Sequence, residues 1–202
     1  MTTALERALA EGEEPQRVTP LDALAAARRM WLADQRIDMG ALATELGISR
    51  ATLYNWVGDR ERLIAEVLWS IADTTLRQAR TAARGTGASY LADVNARYLG
   101  ALAGFEPNRR FIERDPEFAL RVLTSKRTTF QQRLIDATQQ MISEQIESAG
   151  YVPPLDPSTL AYVLVRIGES FIFADLITGG EPDLEKAVQA SRVLLHAAPV
   201  PG

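Results

Sequence analysis

The sequence predicts an all-α chain: three short helices, a long connecting helix, and a larger helical part beyond it. Three observations predict this. Apolar residues recur at spacings of three and four almost throughout, with no alternating run of useful strand length. Glycine and proline punctuation falls between those runs. The 202 residues are 47% hydrophobic and 24% charged, globular values that exclude disorder throughout and collagen-like structure.

Residues 1–18 are rich in Ala and Glu and read as an N-terminal arm or short helix. Thr19-Pro20 then opens a helix, Thr19 as N-cap and Pro20 at the first helical position. Its expected apolar stripe is Leu21, Leu24, Ala25, Trp31 and Leu32. The next helix, 39–46, starts after Asp38 and ends at Gly47. Met39, Leu42, Ala43 and Leu46 make its inner face at helical spacing. Ser49 caps a seven-residue helix, 50–56, that Gly58 ends. Asp59 caps the long helix, expected to reach about residue 84, with Ile64, Val67, Leu68, Ile71 and Thr75 on one side. Gly85-Thr86-Gly87 reads as a hinge between a small N-terminal unit and a larger C-terminal one. Beyond it the punctuation predicts helices at 89–105, 108–112, 117–124, 128–149, 157–177 and 182–198. The domains predicted are therefore an arm (1–18), a helix-turn-helix unit (19–66) and a dimerisation and ligand-binding unit (67–202).

Composition excludes several chemistries. With no cysteine, disulfides, thiolate metal sites and cysteine nucleophiles are ruled out. The one histidine, His196, has no motif around it. Asp115-Pro116-Glu117 and the acidic run at 11–14 read as a cap and a solvated stretch. No catalytic residue, metal site or cofactor is expected. An all-α enzyme using Glu169 and Asp175 is disfavoured, because residues six apart do not share a helix face. The net charge of -4 provides no basic coat, so any nucleic-acid contact must be local. Residues 1–14 are interrupted by Glu6, Arg7 and Glu11 and have no apolar run of secretory type. The most apolar stretch, 160–177, contains Arg166, Glu169 and Asp175. The expected location is cytoplasmic, with no membrane partner.

Residues 38–57, DMGALATELGISRATLYNWV, carry the informative motif. Two helices that cross closely need small apolar residues at the crossing, as Ala43 provides, and a turn residue that tolerates positive φ, as Gly47 does. The second helix of a helix-turn-helix enters the major groove by its N-terminal end. Leu53 and Val57 are expected inward; Arg50, Ala51, Thr52 and Asn55 outward. Arginine can bond guanine and asparagine can bond adenine, each through two hydrogen bonds. Tyr54 and Trp56 put two large aromatics on one short helix, which a soluble domain rarely exposes without use. Tyr54 and Arg60 are placed to flank the groove and hold phosphates. The alternative is a packed helix pair with no role in binding.

The run IDMGALATELGISRATLYNWVGDRERLIAEVL resembles the DNA-binding region of TetR-family transcriptional regulators, through Ala-Leu-Ala, Leu-Gly-Ile-Ser, Thr-Leu-Tyr and the charged turn before Leu63. The resemblance implies that the Thr-Leu-Tyr helix is the recognition helix. It also implies that Arg60 occupies the place of a phosphate-binding lysine. Three departures stand out. Asn55-Trp56-Val57 replaces the usual His-Phe pair, and the loop before residue 38 lacks its customary glycine. Met39 and Gly40 stand where phosphate-binding Thr or Arg is common. Residues 163–187 are similar to QsdR-type regulators, which implies a repressor released by a lactone.

Read from the residues, helix 157–177 is apolar nearly all round and so must be covered all round. A second subunit could cover one side, with Leu184, Val188, Ser191 and Leu195 of the last helix completing a four-helix bundle. The expectation is a homodimer through residues 157–198, with Ile172 and Leu195 at its interface; the alternative is a central core helix in a monomer. Arg166 and Glu169, three apart, either form a structural pair or face a ligand pocket. Tyr98, Phe105, Phe111, Phe118, Phe130 and Phe173 are the aromatics available to line such a pocket. Of all these, Tyr98, Phe111, Phe130, Arg166, Glu169 and Phe173 are the expected ligand contacts. The expected partners are double-stranded operator DNA, a second copy of the chain, and a small hydrophobic effector. The competing reading is a DNA-binding dimer with no effector.

Overall fold

The computed structural model describes residues 18–125, 128–172, 174 and 183–196. Among these it contains ten helices and no strand. They are α1 (Pro20–Leu32), α2 (Met39–Glu45), α3 (Arg50–Val57), α4 (Arg60–Ala82), α5 (Gly87–Ala103), α6 (Glu106–Arg114), α7 (Pro116–Thr124), α8 (Phe130–Ala149), α9 (Pro157–Ile172) and α10 (Leu184–Leu194). The arm at 1–17 lies outside the described residues, as do Phe173 and Asp175.

The caps do what the sequence implied. Thr19 and Asp22 form a reciprocal capping box at the head of α1. Asp38, Ser49 and Asp59 each accept backbone N–H groups at the heads of α2, α3 and α4. Such caps satisfy donors that a helix start leaves unpaired, each worth about 1 kcal/mol.

The inner face of α1 differs from expectation. Ala23, Ala26, Ala27 and Trp31 are buried, whereas Leu21, Ala25 and Leu32 are exposed. Alanine lets neighbouring helices approach closely, so α1 packs through its smallest residues and one large anchor. The end of the α4 stripe also shifts: Ala72, Leu76 and Ala79 are buried where Thr75 is only half-buried.

Gly85-Thr86-Gly87 is a pinned turn rather than a hinge between units. Gly85 and Gly87 both have positive φ, and the buried Gly87 N–H donates to Gln145 Oε1 at 2.9 Å. The change of core lies within α4. Leu63 to Ile71 join α1–α3 in one apolar cluster, together with Val122 and Leu123 of α7. Ala72 to Ala79 join α5, α8, α9 and α10 in the other. One continuous helix therefore ties both cores, and α7 reaches back into the first.

α9 is two-faced within the single chain. Leu160, Ala161, Leu164, Val165 and Gly168 are buried against the second core. Thr159, Tyr162, Arg166 and Ser170 are exposed along the opposite side, flanked by half-buried Val163 and Ile167. On α10, Ala187 and Ser191 turn inward, as does Leu195 just beyond it, leaving Val193 76% exposed. Leu195 is thus core, and Ile172 lines an internal cavity. Leu195 is therefore not available to a second subunit.

Candidate functional site

The helix-turn-helix is assembled by short-range bonds. Asp38 Oδ1 accepts from the N–H groups of Gly40 (2.9 Å) and Ala41 (2.8 Å), which hold its carboxyl below the usual carboxylate range. Gly47 turns the chain at φ +66°. The Ile48 N–H then donates to the Ala43 carbonyl at 3.0 Å. Ser49 Oγ accepts from Thr52 N at 3.0 Å, and Leu53, fully buried, seats α3 on the core.

That seating leaves Arg50, Ala51, Tyr54 and Asn55 exposed, as expected. Thr52 is half-buried, its hydroxyl 2.9 Å from Ser49 Oγ. Trp56 departs from expectation: it is half-buried and packs on the first core beside Val57, so α3 presents one exposed aromatic, Tyr54. Gly40 acquires a reason. The Arg50 guanidinium lies across it, and a Cβ at residue 40 would stand 2.9 Å from Arg50 Cζ. A larger residue there would displace the arginine that heads α3.

Arg60 is turned away from that surface. Its Nε donates to the Ile37 carbonyl at 2.8 Å, and its guanidinium carbon lies 4.9 Å from the centre of the Phe118 ring. Burial pushes its pKa down. The bond to Ile37 uses only Nε, so the terminal nitrogens of the guanidinium are not engaged by it. The geometry makes Arg60 a joint between α4, the turn before α2, and α7.

Other contacts cross the same junction. Trp31 Nε1 donates to Asn108 Oδ1 at 3.2 Å, and the Trp31 and Phe111 rings are 4.8 Å apart. Asp34 accepts from Arg110 at 2.8 Å and Arg114 at 3.2 Å. Arg121 reaches Glu61 at 3.3 Å. α6 and α7 thus grip the unit made of α1–α3 and the start of α4, the reading head, by polar, cationic and aromatic contacts together.

Behind α6 lies a cavity of about 480 Å³, walled by α4, α5, α6, α8 and α9, with Leu123 of α7 and Leu184 of α10. Its size and mainly apolar lining suit a small ligand. Tyr98, Phe111, Phe130 and Glu169 line it, as expected. Arg166 does not; its side chain is 44% exposed and pairs with Glu169 at 2.6 Å. The two alternatives for this pair are each half realised: Arg166 is the outer member and Glu169 also faces the cavity. Both Glu169 oxygens accept from Gln131 Nε2, at 3.0 and 2.9 Å. Burial raises the Glu169 pKa against those bonds and the Arg166 charge. Phe105 and Phe118 lie elsewhere, the first against the reading-head core and the second beneath Arg60. Phe173 is outside the described residues.

Sequence reasoning missed Asn95 and Asn108. Asn95 is one turn from Tyr98 on α5, a polar residue within an apolar stripe, which is the signal that could have found it. Asn108 both lines the cavity and accepts from Trp31, a pairing across 77 residues that no local pattern carries. Among the described residues no cluster of His, Cys, Asp and Glu could hold a metal ion, and no helix is long and apolar enough to cross a membrane.

No curated protein matches the chain significantly. Among solved structures, the R. erythropolis transcriptional repressor QsdR from the TetR family is 28% identical, with a TM-score of 0.83 over 93% of this chain and 100% of that one. A protein of unknown function from Rhodococcus sp. RHA1 is 22% identical, with a TM-score of 0.50 over 91% of this chain and 97% of that one, and shares the fold. Residues 86–196 match the family model described as tetracyclin repressor-like, C-terminal domain. With more than half the chain in that match and a helix-turn-helix ahead of it, the chain belongs to the TetR family of non-enzymatic transcriptional regulators.

Proposed function

We propose that the protein is a cytoplasmic repressor that binds a palindromic operator as a homodimer and is released when a small apolar effector fills the cavity. One observation carries this reading: α6 stands between cavity and reading head and contacts both. Phe111 and Asn108 line the cavity and meet Trp31 of α1. An effector that displaces α6 must therefore disturb the grip on the reading head. Likeness to QsdR supports a repressor; the lactone effector is what the resemblance of residues 163–187 to QsdR-type regulators implies.

The dimer follows from the uncovered side of α9. Tyr162, Val163 and Ile167 lie on a side of α9 that the single chain leaves partly open, and α10 exposes Val193. A two-fold dimer through this side gives two reading heads. Each must meet a half-site about 34 Å from the other. Tilting α4, which joins each head to the larger core, changes that spacing.

Duplexes selected from a random pool test DNA reading. Arg50→Ala and Asn55→Ala should each lose ~1–3 kcal/mol of discrimination between the selected and a scrambled sequence. Tyr54→Phe should weaken both alike. Arg60→Ala should instead lower the melting temperature, since it unpairs the Ile37 carbonyl and uncovers Phe118. Equal losses on selected and scrambled duplexes for Arg50→Ala would remove it from base reading.

A further inference from the structure

A second cavity, of about 200 Å³, lies at the joint between the reading head and α6–α7. Of the residues lining it only Phe111 also borders the apolar cavity, so the two are separate spaces that share one side chain. Three rings wall the second space. Trp31 and Phe111 lie 4.8 Å apart, and Phe111 and Phe118 lie 6.0 Å apart, edge to face. An apolar cavity of about 150 Å³ can hold one benzene, so there is room here for a ring and a small head group.

Three arginines and two aspartates also line it, and the aspartates have partners. Asp34 accepts from Arg110 and Arg114, and Asp115 Oδ1 accepts from the Phe118 N–H at 3.1 Å. Arg36 is exposed, and its side chain forms no hydrogen bond or ion pair among the described residues. Arg60 gives only Nε to Ile37; its terminal nitrogens are unbonded among the described residues and are not sealed from solvent. Burial and then the Arg36 charge push the Arg60 pKa down, against the pull of Asp115 and Asp38, so the two arginines stand close and repel. An anion between them relieves that repulsion. A bare phosphate would leave the three rings uncovered, whereas an anion that carries a ring meets both kinds of wall.

We propose that this cavity binds a small aromatic carboxylate, its head group held by Arg36 and the terminal nitrogens of Arg60 and its ring set against Trp31 and Phe111. The fork of a guanidinium suits the two carboxylate oxygens. The site is independent of the apolar cavity and of what that cavity binds.

Calorimetry on the full-length protein tests this with three probes: benzoate, benzamide, which keeps the ring without the charge, and inorganic phosphate, which keeps the charge without the ring. Benzoate should bind about tenfold more tightly than either. Arg36→Met and Arg60→Met should each lower benzoate affinity about tenfold and bring it level with benzamide. Arg36 bonds nothing through its side chain, so its replacement leaves the fold intact even if Arg60→Met melts early. Benzoate should also leave the neutral dye N-phenyl-1-naphthylamine, a probe of the apolar cavity, in place. No benzoate binding, benzamide binding as tightly, or no loss in Arg36→Met would overturn the assignment. Phosphate binding as tightly as benzoate would make the arginines a site for bare phosphate such as the DNA backbone, and displacement of the dye would move benzoate to the apolar cavity; either result also overturns it.

Discussion

The Gly168→Leu variant is expected to bind operator normally and to lose its response to effector. Gly168 is buried on α9 and lines the cavity. A Cβ placed there meets only Leu99 Cδ2, at 3.1 Å, with no other atom within 4 Å. Leu99 also lines the cavity and can turn a little, so the added side chain has room to fold but takes space from the ligand. Replacing glycine within a helix also regains about 0.5–1 kcal/mol of backbone stability. Crowding of a bound ligand costs ~1–3 kcal/mol, which lowers affinity roughly 5- to 150-fold. Dye displacement and operator anisotropy on the same variant read the two sides. A variant that still released DNA at the same effector concentration would place the effector elsewhere.

Tyr162→Arg is expected to split the dimer without unfolding the subunit. Tyr162 is 50% exposed in the single chain, so an arginine there is solvated in the monomer. In a dimer packed through α9 it would be buried beside Arg166, one turn away, and add a second positive charge there. An unpaired buried charge costs ~3–5 kcal/mol, enough to shift a micromolar dimer to monomer. Losing the second reading head should reduce operator affinity by several orders of magnitude while the helical circular dichroism stays unchanged. Sedimentation that still gave a dimer would move the interface off this face.

The reading head was legible because everything that builds it is local. Asp38, Gly47 and Ser49 act within four residues of themselves, and Leu53 marks the buried side of α3 by spacing alone. The α1 stripe was misassigned because a hydrophobic ranking favours Leu21 and Leu32, whereas close crossing favours Ala23, Ala26 and Ala27. The inward turn of Arg60 depends on the Ile37 carbonyl and the Phe118 ring, neither of which is near it in sequence. Trp56 was read as an exposed aromatic because the helix is short, yet it packs on the core that α1 and α4 complete. The cavity is space left between seven helices, and residue spacing along one helix does not encode an unfilled volume. Hence Tyr98, Phe130 and Glu169 could be named as candidates, Asn95 is marked only as a polar break in the α5 stripe, and Asn108 emerges only from the packing.

The most direct test is a titration of effector against the full-length protein, once alone and once saturated with operator duplex. Effector binding and DNA binding are linked through α6 and the reading head, and linkage of this kind is reciprocal. A coupling of ~1–3 kcal/mol predicts that operator weakens effector affinity roughly 5- to 150-fold, the same factor by which effector weakens operator. Equal effector affinities with and without operator would mean that the two sites do not communicate, and a DNA-binding dimer without effector control would take the place of the ligand-released repressor.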